Sequence, residues 1–379
     1  MRINEVDTFR LSIPYVDEPR SQWVNQWGIQ LYTKVGLGGV HGWGETLVAG
    51  SGIIEAYKHV IDDIISKLLM ESEFEDIGVL TGRLEKSLFT AGISGVVAGS
   101  MSGVELALWD AYARTLDKPI SAIMGGGQRT SVPVYASFPR YASTRELLLA
   151  VGKALDRGFT TVKLHQTPKT TLEGIREVRS KFGGGLGIAV DLNAAFDLRH
   201  ASDFLRDVRR YEPKWIEEPL WPPDDYDDLR TLVQGSDVPV AAGENEYSLF
   251  GFRKMIEAGA AVIQPDVTKV GGLGRFRQVV KLGRSSGVVV APHLRPHRSA
   301  LGLAFTLQAA SAHPEIATVE YSLAPYPDDL FAGLPTVSKG EASLPPGPGS
   351  GIRVRQESLD RYGYQEMDRL LEFSDLSNR

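Results

Sequence analysis

From Val132 onward, short apolar runs alternate with longer stretches of helical periodicity, and this alternation governs the reading of the chain. It predicts strands at residues 132–136, 161–164, 186–191, 214–217, 238–242, 261–264, 288–291 and 318–320, with helices such as 145–157 and 252–258 between them. Eight apolar strands, each one helix from the next, favour a closed (β/α)₈-type barrel over an open doubly wound sheet. Upstream, residues 3–11, 30–35 and 42–47 carry strand formers, and Gly36, Gly38 and Gly39 supply a turn before HGWGET, which predicts an antiparallel meander. Helices are expected at 53–69, 74–87 and 94–116, the last with Val97, Met101, Val104, Leu108 and Tyr112 on one stripe. Asp117, Lys118 and Pro119 stop that helix, and a glycine-rich hinge follows near 125–129. The loop 14–28, which bears Trp23 and Trp27, reads equally as a plug on the core or a lid over a site. The turn-rich tail, with the run from Leu344 to Gly351, is expected to return to the first domain. The expected organisation is an α+β domain at 1–128, a barrel at 129–330 and a closing segment at 331–379.

Composition narrows the chemistry. A chain of 379 residues can bury a large core and form two domains. No run approaches the roughly 18 apolar residues of a membrane span, and MRINEVDTFRL lacks the apolar region of a secretion signal, so the cytoplasm is expected. A net charge of -6 without a basic cluster argues against nucleic acid. With no cysteine, thiolate nucleophiles, disulfides and Cys-ligated metals are excluded, and with seven histidines the chemistry must rest mainly on carboxylates and lysines.

Three apolar runs, GIAVD, KWIEE and VPVAAGE, end in Asp191, Glu217 and Glu244, roughly one strand-plus-helix repeat apart. Carboxylates converging on one barrel face repel one another, so either their pKa values rise or a cation lies between them; an all-oxygen set favours Mg²⁺. The same strand-end rule selects Lys163 and His165, two apart and both facing inward, then Asn193, Asp266, Lys269, His293 and Glu320. Each alone has a plain structural role open to it: a helix cap or ion pair for a carboxylate, a satisfied core group for His293, a solvent-reaching Lys163, a barrel brace at Glu320. Three carboxylates in register, with Asp266 beside His293 to fix its tautomer, shift the balance towards catalysis. Gly272 and Gly274 superficially suggest a nucleotide fingerprint, but the third glycine and the ribose acid are missing. Candidate distal contacts are Arg20, Trp23, His41, Arg295 and His297.

The ordered motifs VKLH, VDLN, WIEEP, GEN, QPDVTKVGG and APH resemble the enolase superfamily, specifically its mandelate racemase subgroup. The stretches SGVELALWDAYARTLDKPISAIMGG and PPGPGSGI look like that family's capping-domain helix and tail. The resemblance implies a modified (β/α)₇β barrel beneath a capping domain built from both termini. It also implies Asp191, Glu217 and Glu244 as ligands of one Mg²⁺, Asp266 and His293 as a base dyad, and Glu320 as a hydrogen-bonding acid. Lys163 matches the lysine that neutralises the substrate carboxylate, whereas His165 replaces the second lysine of the subgroup's Lys-x-Lys pattern. Asn193 stands where certain sugar-acid dehydratases of the family carry a histidine acid, so that acid is missing here.

Charge balance supports α-proton abstraction from a carboxylate. The enediolate adds negative charge to a site already holding the ligands and the substrate carboxylate, and Lys163, Lys269 and a protonated Glu320 would offset it. His165, facing Mg²⁺ and Lys163, is expected to be neutral at pH 7. Loss of a β-hydroxyl would make a dehydratase, return of a proton a racemase or epimerase, and opening of a lactone or anhydro ring a cycloisomerase. The polar distal candidates favour an acid sugar and dehydration. Muconate-lactonising and dipeptide-epimerase relatives place Asp where Glu244 stands and lack His293. A non-catalytic metal-binding scaffold would leave His293, Asp266 and Lys163 without a task. The expected partners are a small carboxylate substrate and further copies of the chain, from a dimer to an octamer, with no nucleic acid and no membrane.

Overall fold

The computed structural model describes residues 1–13, 28–48, 52–70, 72–126, 129–295 and 299–364. Strands β1 (Ile3–Ser12), β2 (Ile29–Leu37) and β3 (Val40–Thr46) form an antiparallel meander. Its β2–β3 turn places Gly38 and Gly39 at φ of 57° and 88°, a region side chains resist. Helices α1 (Ile53–His59) and α2 (Ser66–Leu69) are continuous through a π-helical stretch, Val60–Ile65, and α3 (Ile77–Leu88), α4 (Gly95–Thr115) and α5 (Ile120–Ile123) follow. Ile3, Leu31, Ile61, Leu84, Val104 and Leu108 pack together between the sheet and these helices.

The single apolar stripe expected on α4 is too narrow a description. Met101, Val104 and Leu108 are buried, but so are Ser102, Glu105 and Asp110 around the rest of the helix. A Cβ at Gly44 of β3 would lie 2.0 Å from the Gly103 carbonyl oxygen, so sheet and helix backbones are in direct contact. A helix covered on all sides has little periodicity to display. Asp110 shows how firmly it is held, accepting from Trp43 N (2.9 Å), Ser350 N (2.7 Å) and Arg114 Nε (2.9 Å).

Eight parallel strands follow: β4 (Ser131–Ser137), β5 (Thr161–Leu164), β6 (Gly187–Asp191), β7 (Trp215–Glu217), β8 (Val240–Ala242), β9 (Val262–Ile263), β10 (Val289–Val290) and β11 (Val319–Ser322). They pair in chain order, β11 returns to β4, and a Val290–Ile316 bridge closes the barrel. Helices α6 (Thr144–Asp156), α7 (Pro168–Phe182), α8 (Leu198–Val208), α9 (Tyr226–Gln234), α10 (Leu249–Ala258), α11 (Leu273–Ser286) and α12 (Ala300–Ala312) follow the first seven strands. Among the described residues, seven helices on eight strands make the expected (β/α)₇β arrangement. Alternate strand residues divide between two environments. Val162, Ile188, Val190 and Ile216 join the main core, whereas Tyr135, Ala189, Trp215, Ala241, Val262 and Ala291 form a separate cluster filling the barrel. Tyr135 and Trp215 meet edge to face at 5.3 Å, and alanines on neighbouring strands leave room for them.

Beyond the barrel come β12 (Phe331–Ala332), β13 (Val337–Ser338), β14 (Glu341–Ser343) and β15 (Arg353–Val354). The β13–β14 hairpin pairs antiparallel with β4, so part of the tail extends the barrel sheet. Farther on, Gly363 bridges to Leu11 of β1. Among the described residues, no helix is long and apolar enough to cross a membrane.

Removing the Asp110 carboxylate would strand two buried amides and leave Arg114 without its ion-pair partner, though still bonded to the Ile352 carbonyl. Asp110→Ala should therefore destabilise the protein by about 3–5 kcal/mol, and Asp110→Asn, which keeps one acceptor oxygen, by less. Denaturant unfolding of both variants checks this; equal small losses would contradict the triple contact.

Candidate active site

The barrel's register brings the carboxylates together. Asp191 lies directly opposite Glu217 in the β6–β7 ladder. Glu244 reaches them through Gly243, which has φ of 121° and where a Cβ would press to 2.7 Å from the Phe252 ring. One oxygen from each of Asp191, Glu217 and Glu244 lies within 4.8 Å of the others, a donor set suited to a hard divalent cation.

Lys163, fully buried on β5, is the internal counter-charge. Its Nζ lies 2.7 Å from Glu217 Oε1, 2.9 Å from Glu320 Oε1 and 3.4 Å from Asp191 Oδ2. Burial would lower its pKa, but Glu217 and Glu320 outweigh that and hold it well above its ordinary value. Glu217 feels the crowding: burial, then Asp191, Glu320 and Glu244, push its pKa up to about 8 against the pull of Lys163. Asp191 moves the other way, because His165 and Lys163 overcome the effect of burial. Burial would also raise Glu320, yet Lys163, His293 and His165 hold it below the usual range. It accepts from Leu294 N at 3.0 Å and from the Tyr135 hydroxyl at 3.4 Å. The protonated Glu320 expected from charge balance is not what these neighbours favour.

Two imidazoles flank the carboxylates. His293 Nδ1 is 2.7 Å from Asp266 Oδ2, and its Nε2 is 3.1 Å from Glu244 Oε2. Asp266 is fixed in turn by Thr268, whose N and Oγ1 donate to Oδ1 at 2.7 and 2.6 Å. Burial disfavours a charged His293, but Glu244 and the bond to Asp266 lift its pKa to about 9. His165 Nε2 sits 2.8 Å from Asp191 Oδ2, so the two histidines approach different members of the triad.

Asn193, at φ 48°, donates through N and Nδ2 to Asp191 Oδ1, both at 2.9 Å, and so orients that carboxylate. Lys269 reaches Asn245 Oδ1 at 2.9 Å and lies over the Tyr247 ring, and Asn245 Nδ2 donates to Glu244 Oε1 at 3.1 Å. Arg295 is buried against the first domain and donates to the Ile29 carbonyl at 2.9 Å. His41 pairs with Glu5 at 2.6 Å on the meander. Arg20, Trp23 and His297 lie outside the described residues.

Several contributing groups escape the sequence reading. Trp215 Nε1 and Gln264 Nε2 donate to Glu217 Oε2 at 3.1 and 2.7 Å. Gln264, a polar residue following an apolar strand, satisfies the strand-end rule, whereas an indole offers no such signal. Arg140 Nε, past the end of β4, holds the His165 carbonyl at 3.2 Å. Glu218, with φ of 41°, accepts from Gly243 N at 2.9 Å and thereby braces the turn before Glu244.

The sequence profile of the mandelate racemase/muconate lactonizing enzyme N-terminal domain matches residues 28–125, and that of the enolase C-terminal domain-like family matches 146–358. A protein of Caldivirga maquilingensis is 29% identical over 315 residues, covering 80% of this chain and 76% of its own. The L-rhamnonate dehydratase of Saccharopolyspora erythraea is 26% identical over 319 residues, covering 79% and 77%. The fold is shared with a racemase from Streptomyces coelicolor A3(2), solved with bound magnesium, at a TM-score of 0.85 and 24% identity over 96% of this chain and 100% of that one. With both domains matched in order, the chain belongs to the mandelate racemase/muconate lactonizing enzyme family of the enolase superfamily.

Proposed function

We propose that this chain is a Mg²⁺-dependent acid-sugar dehydratase, which removes the α-proton of a hydroxy-carboxylate and expels the β-hydroxyl as water to give a 2-keto-3-deoxy acid. The observation that carries the reading is the His293–Asp266 pair at 2.7 Å set against the Asp191–Glu217–Glu244 triad. An oriented base beside a cation-binding carboxylate set is what deprotonation next to a carboxylate requires. Asp191, Glu217 and Glu244 would hold Mg²⁺, which when bound supplies Lewis-acid polarisation of the substrate carboxylate. The magnesium in the Streptomyces coelicolor racemase and the activity named for the Saccharopolyspora erythraea relative support the choice of ion and reaction.

The proton chemistry falls to the chain's own residues. Asp266 holds Nδ1–H of His293, which directs Nε2 towards the triad. Glu244, whose charge does most to raise the His293 pKa, would have that charge cancelled by a cation it holds; the neutral Nε2 then takes the α-proton, the Cα–H electron pair enters the enediolate, and the β-carbon–oxygen bond breaks. With Asn193 in place of a histidine acid, His293 returns that proton to the departing hydroxyl on the same face, so that water leaves and the enol tautomerises to the keto acid. His165, on the Asp191 side, has an auxiliary role. The placement of histidines beside different members of the triad also favours a second reading, epimerisation, in which one imidazole removes the proton and the other returns one. A Mg²⁺-dependent screen of mono- and diacid sugars in D₂O, scored for keto acid and α-deuterium, separates these. Deuterium without keto acid would indicate epimerisation, and neither product with any acid sugar would overturn the proposal.

Glu217→Gln should abolish turnover and weaken Mg²⁺ binding. The apo variant should be no less stable than apo wild type, because relief of repulsion with Asp191 and Glu244 offsets the lost Lys163 pairing. Calorimetric Mg²⁺ titration and denaturant unfolding test both halves, and unchanged Mg²⁺ affinity would remove Glu217 from the ligand set.

His293→Asn should lower dehydration by about 10³-fold or more, near the upper range for a general acid–base group, and His165→Asn by less. Exchange and keto-acid formation are measured separately in both variants. Abolished exchange in His165→Asn with retained exchange in His293→Asn would make His165 the base.

A further inference from the structure

The seven barrel helices do not all begin in the same way. Ser143, Asp197, Asp225 and Ser248 cap α6, α8, α9 and α10 with their own side chains, and α7 starts on Pro168. Helices α11 and α12 start at Gly272 and Ser299 with no side-chain cap of their own. Both receive a carboxylate from the first domain instead. Glu105 of α4 accepts from Leu273 N and from Gly274 N at 3.0 Å. Glu45 of β3 accepts from Gly302 N at 3.2 Å and from Ser299 Oγ at 3.0 Å.

These helices directly follow the strands that lead to Asp266 and His293. The segment from Asp266 to Gly274 is held from the first domain at three places. Leu47 N donates to the Thr268 carbonyl at 3.3 Å, Ser102 Oγ accepts from Gly271 N at 2.8 Å, and Glu105 caps the helix start. Thr268 is the residue that fixes Asp266. After His293, Glu45 takes Ser299 and Gly302 at the start of α12. Space is reserved for the first contact: a Cβ at Gly272 would fall 2.0 Å from Glu105 Oε2, and one at Gly274 would fall 2.7 Å from Oε1. The two glycines that superficially suggest a nucleotide fingerprint are the residues that admit Glu105.

We infer that Glu105 and Glu45 are positioning residues for the His293–Asp266 dyad, Glu105 fixing from the first domain the segment that carries Asp266 and Glu45 fixing the start of the helix that follows His293. This rests on the proposed proton chemistry. An error of about 1 Å in a catalytic group can cost about 100-fold in rate, so loosening either loop should act on the chemical step and not on metal affinity.

The test uses full-length Glu105→Ala, Glu105→Gln, Glu45→Ala and Glu45→Gln, with Asp110→Asn as a control that weakens α4 contacts away from the dyad. Three quantities are read: the downfield proton resonance of His293 Nδ1–H, identified by its loss in His293→Asn, and both kcat and KM for α-proton exchange at saturating Mg²⁺. The alanine variants should broaden or lose the resonance and lower kcat by about 10- to 100-fold, with KM and Mg²⁺ affinity unchanged. The glutamine variants keep an acceptor oxygen and should recover part of both, and they remain informative where an alanine variant fails to fold. Asp110→Asn should lower the unfolding midpoint and leave resonance and kcat intact. If Glu105 and Glu45 variants behave like that control, the carboxylates are domain staples and the inference is wrong. Absence of exchange in the wild type would instead sink the functional reading, and the resonance would still decide the positioning role.

Discussion

Everything at the barrel mouth depends on compensating carboxylates that the strand register forces together. Asp191 and Glu217 are paired across a ladder, Glu244 follows one strand on, and Glu320 closes in from β11. A charge buried without a partner costs several kcal/mol, and the chain meets this by placing one lysine ammonium among three carboxylates. Lys163 can do so because its strand position points it inward and no solvent path is open to it; its side chain is 0% exposed. The divergent pKa shifts of Asp191 and Glu217 follow from which of them also meets His165. A divalent cation would enter a site whose excess of negative charge is only partly met from within.

The legible parts of this architecture are those written as short periods. Eight barrel strands fall where alternation and apolar runs place them, although β9 and β10 contract to two residues each. Asp191, Glu217, Glu244, Lys163, His165, Asp266, His293 and Glu320 all come together because one rule, polarity at a strand's C-terminal end, selects them. Helices α4 and α12 are harder to read, since each is buried around most of its circumference and so lacks an amphipathic signature. Glu45 and Glu105 are illegible for a different reason. Nothing local distinguishes them from surface glutamates, and the groups they serve lie 254 and 168 residues away.

Those two glutamates alter how the two domains relate. A capping domain that only covered the site would need contact with the loops of the mouth. Here it also completes the first turns of two barrel helices, whose free amides would otherwise be buried without acceptors. The barrel half carrying Asp266 and His293 is therefore incomplete without the first domain. The half carrying Asp191 and Glu217 is not, because α8 and α9 carry Asp197 and Asp225 as their own caps. The side of the site with Asp191 and Glu217 is built by the barrel alone, and the side with Asp266 and His293 by both domains together.

Exposure differs across the site in a way that suits the proposed proton chemistry. Lys163, Glu217 and Glu320 lie at 0% exposure, whereas the His293 and Glu244 side chains reach 11% and 12%. Charge compensation is thus kept dry, where each interaction is least screened. His293, the base of the proposed reaction, sits at the wetter edge. A base with some contact with solvent can lose an abstracted proton to water between turnovers, so under the proposed assignment the label a substrate acquires in D₂O would come through His293. A base sealed at the level of Lys163 would return the same proton and leave no trace.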